Sequence, residues 1–222
     1  MTQAAPSTGR SRSDDAVETI RGWIIDGKLS PGSPLVESRL AAELGVSRVP
    51  VREALRRLGE QGLVDLRPGQ SAQVVRRNAR DIVELLEIRE VLEGLAAANA
   101  AAKRGVDDVT ALDAIIQQAD ALIDDADWPA IGRLNIEFHR TMTTIAGNDH
   151  LTSLVEGYRL QLGWLNTASA EARGRGAWDE HAQMLQAIVS QDAKRAEQLA
   201  RRHTRRSRDA FVKALLDGTI KA

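Results

Sequence analysis

The chain has 222 residues, 30 Lys/Arg against 31 Asp/Glu and a net charge of −1, long enough for one large or two small cores. Cysteine is absent, which excludes a disulfide framework and any thiolate metal site. No apolar run is long enough to span a bilayer, and Thr2, Ser7, Thr8 and Ser11 make a polar start with no apolar leader, so a soluble, cytoplasmic protein is expected. Charge is shared unevenly: 12 Lys/Arg to 9 Asp/Glu up to Arg77, then 18 to 22. A basic front and an acidic back fit a nucleic-acid-binding module fused to a different one.

Residues 1–12 read as a disordered arm. Asp14 and Asp15 open a helix in which Val17, Ile20 and Ile24 share a face, ended by Gly27. Residues 29–34, Leu-Ser-Pro-Gly-Ser-Pro, read as a turn. A short helix over 37–44 is stopped by Gly45, and a second begins near Arg48 with Val51, Leu55 and Leu58 facing inward. Residues 63–67 and 72–76 read as two short strands around Pro68, Gly69, Gln70 and Ser71, a wing. These elements predict a winged helix-turn-helix domain over 13–77, with 78–79 as junction.

From 80 to 222 the pattern is helical throughout. Apolar stripes recur at helical spacing, from Ile82, Leu85, Leu86, Leu92 and Ala96 through to Ala193, Ala196, Ala200, Ala210 and Ala214. Six helices with short breaks predict an all-α antiparallel bundle, so the fold class is mainly α.

Ser47 is placed to cap the second short helix, and Pro50 is tolerated in its first turn. Arg48 and Arg52 then lie one turn apart on the exposed face near the positive end of the dipole, an arrangement suited to guanine edges in the major groove. The plain alternative is an amphipathic helix with solvated arginines. The stretch Ser-Arg-Val-Pro-Val-Arg-Glu-Ala-Leu from Ser47 to Leu55 resembles the hallmark of the GntR family of bacterial transcription regulators. The candidate DNA-contacting set is Ser38, Arg39, Ser47, Arg48, Arg52 and Gly69. Where that family's wing carries Arg-Gly near its tip, this chain has Gln70-Ser71, so a base contact there is not carried over.

Four histidines occur in the chain. His139 follows Asn135 by four residues on one face; His181 is in register with Met184, Leu185 and Ile188; His203 falls among Ala196, Ala200 and Ala210. Three imidazoles converging on a bundle core suit a divalent ion such as zinc or nickel, the alternative for each being a hydrogen-bonded core histidine. His150, at a helix start, is expected to be exposed. The bundle resembles the FCD effector domain of the FadR subfamily of GntR regulators, and together with the winged helix the resemblance accounts for residues 14 to about 215. In metal-binding members an Asp-x-x-x-His pair joins one histidine from each of two later helices. The resemblance therefore assigns His139, His181 and His203 as ligands, with Asn135 standing where the family has aspartate.

Arg89 interrupts an inward stripe, so it needs either an ion pair with Glu84, Glu87 or Glu90 or a bound carboxylate. The resemblance favours a small organic acid as effector, with Arg159 and Trp164 lining the same cavity. The expected function is a homodimeric, ligand-responsive regulator reading a palindromic operator, and not an enzyme. Two alternatives stand beside it: the metal itself as signal, and a metal-dependent hydrolase with an appended DNA module. Against the hydrolase, Glu137 and Glu180 neighbour the histidines in sequence and should point elsewhere.

Overall fold

The structure is a computed structural model that describes residues 11–25, 27–67, 69–162 and 165–217, and of residues 160 and 165–172 the backbone alone. The chain divides into two compact units, with the boundary between Arg76 and Arg77.

In the first unit, α1 (Arg12–Ile25), β1 (Pro34–Leu35), α2 (Glu37–Leu44), α3 (Arg48–Glu60), β2 (Val64–Asp65) and β3 (Ala72–Val74) follow in order. Val17, Ile20, Leu40, Val51, Leu55 and Leu58 bury the apolar faces of the three helices against one another. Gly45 turns the chain from α2 into α3 with φ 66°, a left-handed conformation that glycine adopts without steric penalty. The sheet order is β1-β3-β2, antiparallel, with Leu35 opposite Ala72 and Val64 opposite Val74.

Three details depart from the sequence expectation. The first helix starts at Arg12, inside the stretch read as an arm, whose residues 1–10 lie outside the described ones. Residues 34–35, read as turn, form a third strand. Ser47 occupies the N-cap position of α3 but its side chain makes no capping bond. A capping hydroxyl accepts from the second or third helical N–H, and Pro50 at the third position removes one of these two donors, leaving that of Val49.

The second unit contains α4 (Ala79–Lys103), α5 (Val106–Ile123), α6 (Trp128–Ile145), α7 (Asp149–Leu162), α8 (Leu165–Val189) and α9 (Ala193–Leu216). Asn78 starts α4 with a reciprocal capping box to Asp81, and the side chains of Asp127 and Asp192 cap α6 and α9. α4 packs on α6, α7, α8 and α9, most extensively on α9. That approach uses small residues, Ala96, Ala97, Ala100 and Ala101 being buried, and a Cβ on Gly94 would come within 2.8 Å of Arg201. α8 bends at Gly174, where φ is 49° and ψ −142°. Among the described residues no helix is long and apolar enough to cross a membrane.

Candidate nucleic-acid surface and candidate metal centre

α3 and the wing enclose a groove of about 630 Å³ on the first unit, with Ser38, Arg48, Arg52 and Gly69 on its lining. Arg39 and Ser47 are exposed but lie off that lining. The arginine side chains are 63% and 66% exposed, and both reach back to one carboxylate, that of Glu37 on α2. Sequence reading passed over Glu37.

In the second unit, His139 on α6, His181 on α8 and His203 on α9 are all buried and bring one ring nitrogen each within 4.8 Å of one another. Phe138 stacks on His181 with ring centres 4.4 Å apart, and Trp178 meets the same ring edge-on at 4.7 Å, which fixes its orientation. His150 is exposed.

Burial, reinforced by positive neighbours such as Arg89 and Arg173, holds all three imidazoles below their ordinary pKa, so they are neutral and keep a lone pair. His203 Nδ1 lies 2.8 Å from Glu180 Oε2. A carboxylate only accepts, so Nδ1 carries the proton and Nε2, 3.3 Å from His181 Nε2, presents its lone pair to the cluster. His139 Nδ1 is 3.2 Å from Glu93 Oε2 without hydrogen-bond alignment, and neither His139 nitrogen nor His181 Nδ1 has a hydrogen-bond partner. Buried ring nitrogens left in this condition fit an ion-binding donor set.

Two carboxylates frame the cluster. Glu180 is 4% exposed and is also gripped by Arg173 and Arg206. It points away from its sequence neighbour His181, as expected, but the direction in which it points brings it into contact with His203 of the next helix. Glu93 is fully buried, and its oxygens accept from Arg89 Nε (2.9 Å), Tyr158 Oη (2.6 Å) and Thr204 Oγ1 (3.3 Å). With these donors around it the carboxyl stays ionised, its pKa lowered by Arg89 and Tyr158 against the opposing pull of burial. Arg89 is therefore ion-paired, and its partner is Glu93 one turn on rather than Glu84, Glu87 or Glu90.

Beside His139 lies an enclosed cavity of about 10 Å³ lined by Arg89, Asn135, Ile136, His139, Tyr158, Arg159 and Leu162. Asn135 is half-buried on that lining. Arg159 Nη2 donates to the Ile136 carbonyl, while Nη1 is buried without a hydrogen-bond partner. Trp164 lies outside the described residues.

A winged helix-turn-helix followed by an all-helical unit with a histidine cluster in its core defines a two-module regulator. Residues 12–74 match the model for bacterial regulatory proteins of the gntR family, and residues 84–206 match the FCD domain. The chain belongs to the GntR family and carries an FCD domain.

Among curated relatives it is 30% identical over 138 residues to the HTH-type transcriptional regulator YdhC of Bacillus subtilis, covering 62% of each chain. It is 29% identical over 184 residues to a probable D-xylose utilization operon transcriptional repressor of Paenarthrobacter nicotinovorans, covering 81% of this chain and 80% of that one. E. coli McbR/YncC has the same fold, with TM-score 0.81 and 22% identity over 93% of this chain and all of that one. So has a GntR regulator from Rhodococcus sp. RHA1, with TM-score 0.76 and 24% identity over 92% of this chain and 99% of that one.

Proposed function

We propose that the protein is a cytoplasmic, homodimeric transcription regulator of the FadR subfamily whose helical unit binds a divalent metal and a small organic acid that alters operator binding. The observation that carries the sensing role is the histidine cluster, in which His139 Nε2 and His181 Nδ1 are buried without hydrogen-bond partners, next to a cavity lined by His139 and by Arg159, whose Nη1 makes only a 3.6 Å ion pair to Glu156 Oε1. His139, His181 and His203 would hold the ion, with Asn135 beside His139. When bound, zinc, nickel or a similar ion would offer an anion an electrophilic coordination position.

The protein's own part is to keep the imidazoles neutral, to fix the His203 tautomer through Glu180, and to supply positive charge at Arg159 for a carboxylate. Effector binding shifts operator affinity only if it favours one dimer geometry over the other. Titrating a panel of small organic acids calorimetrically into metal-loaded protein tests this. Arg159→Gln is expected to weaken the best acid by roughly tenfold, the size of one charge-assisted contact. Full retention would remove Arg159 from the effector site.

The cavity's small volume favours a second reading, in which the metal alone is the signal. Operator affinity that changes with metal and is indifferent to every acid would decide for it.

Dimerisation has a candidate face. Ile88, Val91 and Leu95 are 54%, 51% and 45% exposed at positions i, i+3 and i+7 of α4, an apolar stripe facing outward. Two winged domains also match two half-sites of a palindrome about one turn of DNA apart. Val91→Glu is expected to give a monomer at micromolar concentration by sedimentation and a loss of operator affinity. A dimer that survives the substitution would move the interface elsewhere.

A further inference from the structure

Glu37 is the first residue of α2 and stands where the two outward arginines of α3 converge. Its Oε1 accepts from Arg52 Nε at 2.8 Å, and its Oε2 accepts from Arg52 Nη2 at 2.8 Å and from Arg48 Nη2 at 3.1 Å. Its side chain is 24% exposed, against 63% and 66% for the arginines, so it is the anchored partner of the three. Its place in the first turn of a helix also suits a negative charge.

A guanidinium presents two paired-donor edges: one from Nε and Nη2, the other from Nη1 and Nη2. Glu37 occupies the first edge of Arg52. The second, at the tip of the side chain, remains for O6 and N7 of guanine. Held by its side, Arg52 meets base edges end-on with its rotamer already fixed. An arginine without that tether swings to the nearest phosphate, which carries no sequence information.

We propose that Glu37 is a specificity-determining positioning residue: it aims Arg52 and Arg48 at base edges, and its negative charge disfavours their use as general phosphate clamps. The proposal rests on the reading of these arginines as base readers. Its consequence is a division of labour in which one carboxylate sets selectivity without contacting DNA. The bidentate contact and the sharing of one carboxylate by two arginines set this group apart from an ordinary exposed ion pair, whose loss changes little.

The test uses full-length protein and a duplex selected from a random pool by the wild type, with a scrambled duplex of equal length at the same salt. Fluorescence anisotropy is measured for wild type, Glu37→Gln, Glu37→Asp and Arg52→Ala, and base selection is repeated with Glu37→Gln. Glu37→Gln is expected to lose roughly tenfold or more on the selected duplex and to hold or gain affinity for the scrambled one. Its base preferences should relax at the positions that Arg52→Ala also relaxes.

Glu37→Asp keeps the charge but shortens the reach. It should lose selectivity without gaining affinity for the scrambled duplex, which separates aim from charge. Unchanged thermal unfolding by circular dichroism excludes a merely structural loss. If Glu37→Gln keeps the ratio of selected to scrambled affinity, including the case in which both rise equally, Glu37 does not set selectivity and the proposal is overturned. If Arg52→Ala alters neither affinity nor base preference, the base-reading assignment fails first and the proposal falls with it.

Discussion

Arg52→Ala is expected to weaken operator binding by roughly 10- to 100-fold per half-site, while leaving the fold and the dimer unchanged. Arg52 sits on the exposed face of α3, outside the Val51, Ala54, Leu55 and Leu58 stripe that packs the first unit. Alanine removes a bidentate donor from the groove lining. It also leaves Glu37 with Arg48 as its one remaining arginine partner, so a carboxylate oxygen that now binds Arg52 Nε would face the DNA unscreened. The loss should therefore fall toward the upper end of that range. Salt dependence distinguishes the two roles an arginine has at this surface. A base reader leaves the slope of log affinity against log salt nearly unchanged, whereas a phosphate clamp reduces it by about one. Anisotropy titrations of one operator at several salt concentrations give both numbers. An Arg52→Ala protein that held the operator as tightly as wild type at equal salt would end the assignment.

Patterns internal to one helix were readable from sequence, and helical register was enough to send His139, His181 and His203 to a shared core; the partners that side chains take on other elements were not. The periodicity of Val51, Leu55 and Leu58 reports the buried face of α3 directly, and Gly45 marks the turn before it. β1 gave no such signal, because Pro34–Leu35 is a two-residue strand whose only definition is pairing with β3. The strands on either side of the wing are likewise shorter than their apolar runs suggest. Arg89 was recognisable as an inward charge, and the same stripe continues through Glu93 between Leu86 and Ala97. Reading charge along the stripe at i+4 would have paired the two. Glu180 is different in kind. Helical geometry correctly turns it from His181, but its contact with His203 depends on how α8 sits against α9, which neither helix encodes alone. The kink at Gly174 adds to that difficulty, since positive φ inside a helix changes the face that follows.

Asn135→Asp is expected to raise metal affinity and lower affinity for organic acids, and His181→Ala to abolish metal retention. The argument starts from charge. Three neutral imidazoles and an amide leave a divalent ion with its full double charge. Glu93 and Glu180 lie close by, but Glu93 is committed to Arg89, and Glu180 to Arg173 and Arg206, so their charge is already balanced within the bundle. An aspartate at 135 would be an additional negative charge on the cavity lining shared with His139 and Arg159. It would strengthen the ion's hold on the order of tenfold to a hundredfold, the range typical of changes around a metal site. It would also share that lining with Arg159, whose Nη1 makes no hydrogen bond and only a 3.6 Å ion pair to Glu156, and so take the place of an incoming carboxylate. His181 lies between Phe138 and Trp178 and adjoins His203, so alanine there removes one of three donors from the centre of the cluster. The measurement is metal content after dialysis against a weak chelator, followed by calorimetric titration of the acids into wild type and each variant. Circular dichroism should show both variants folded before either result is interpreted. A wild-type protein that takes up no divalent metal under any condition would refute the site; unchanged acid binding in Asn135→Asp would refute the charge argument alone.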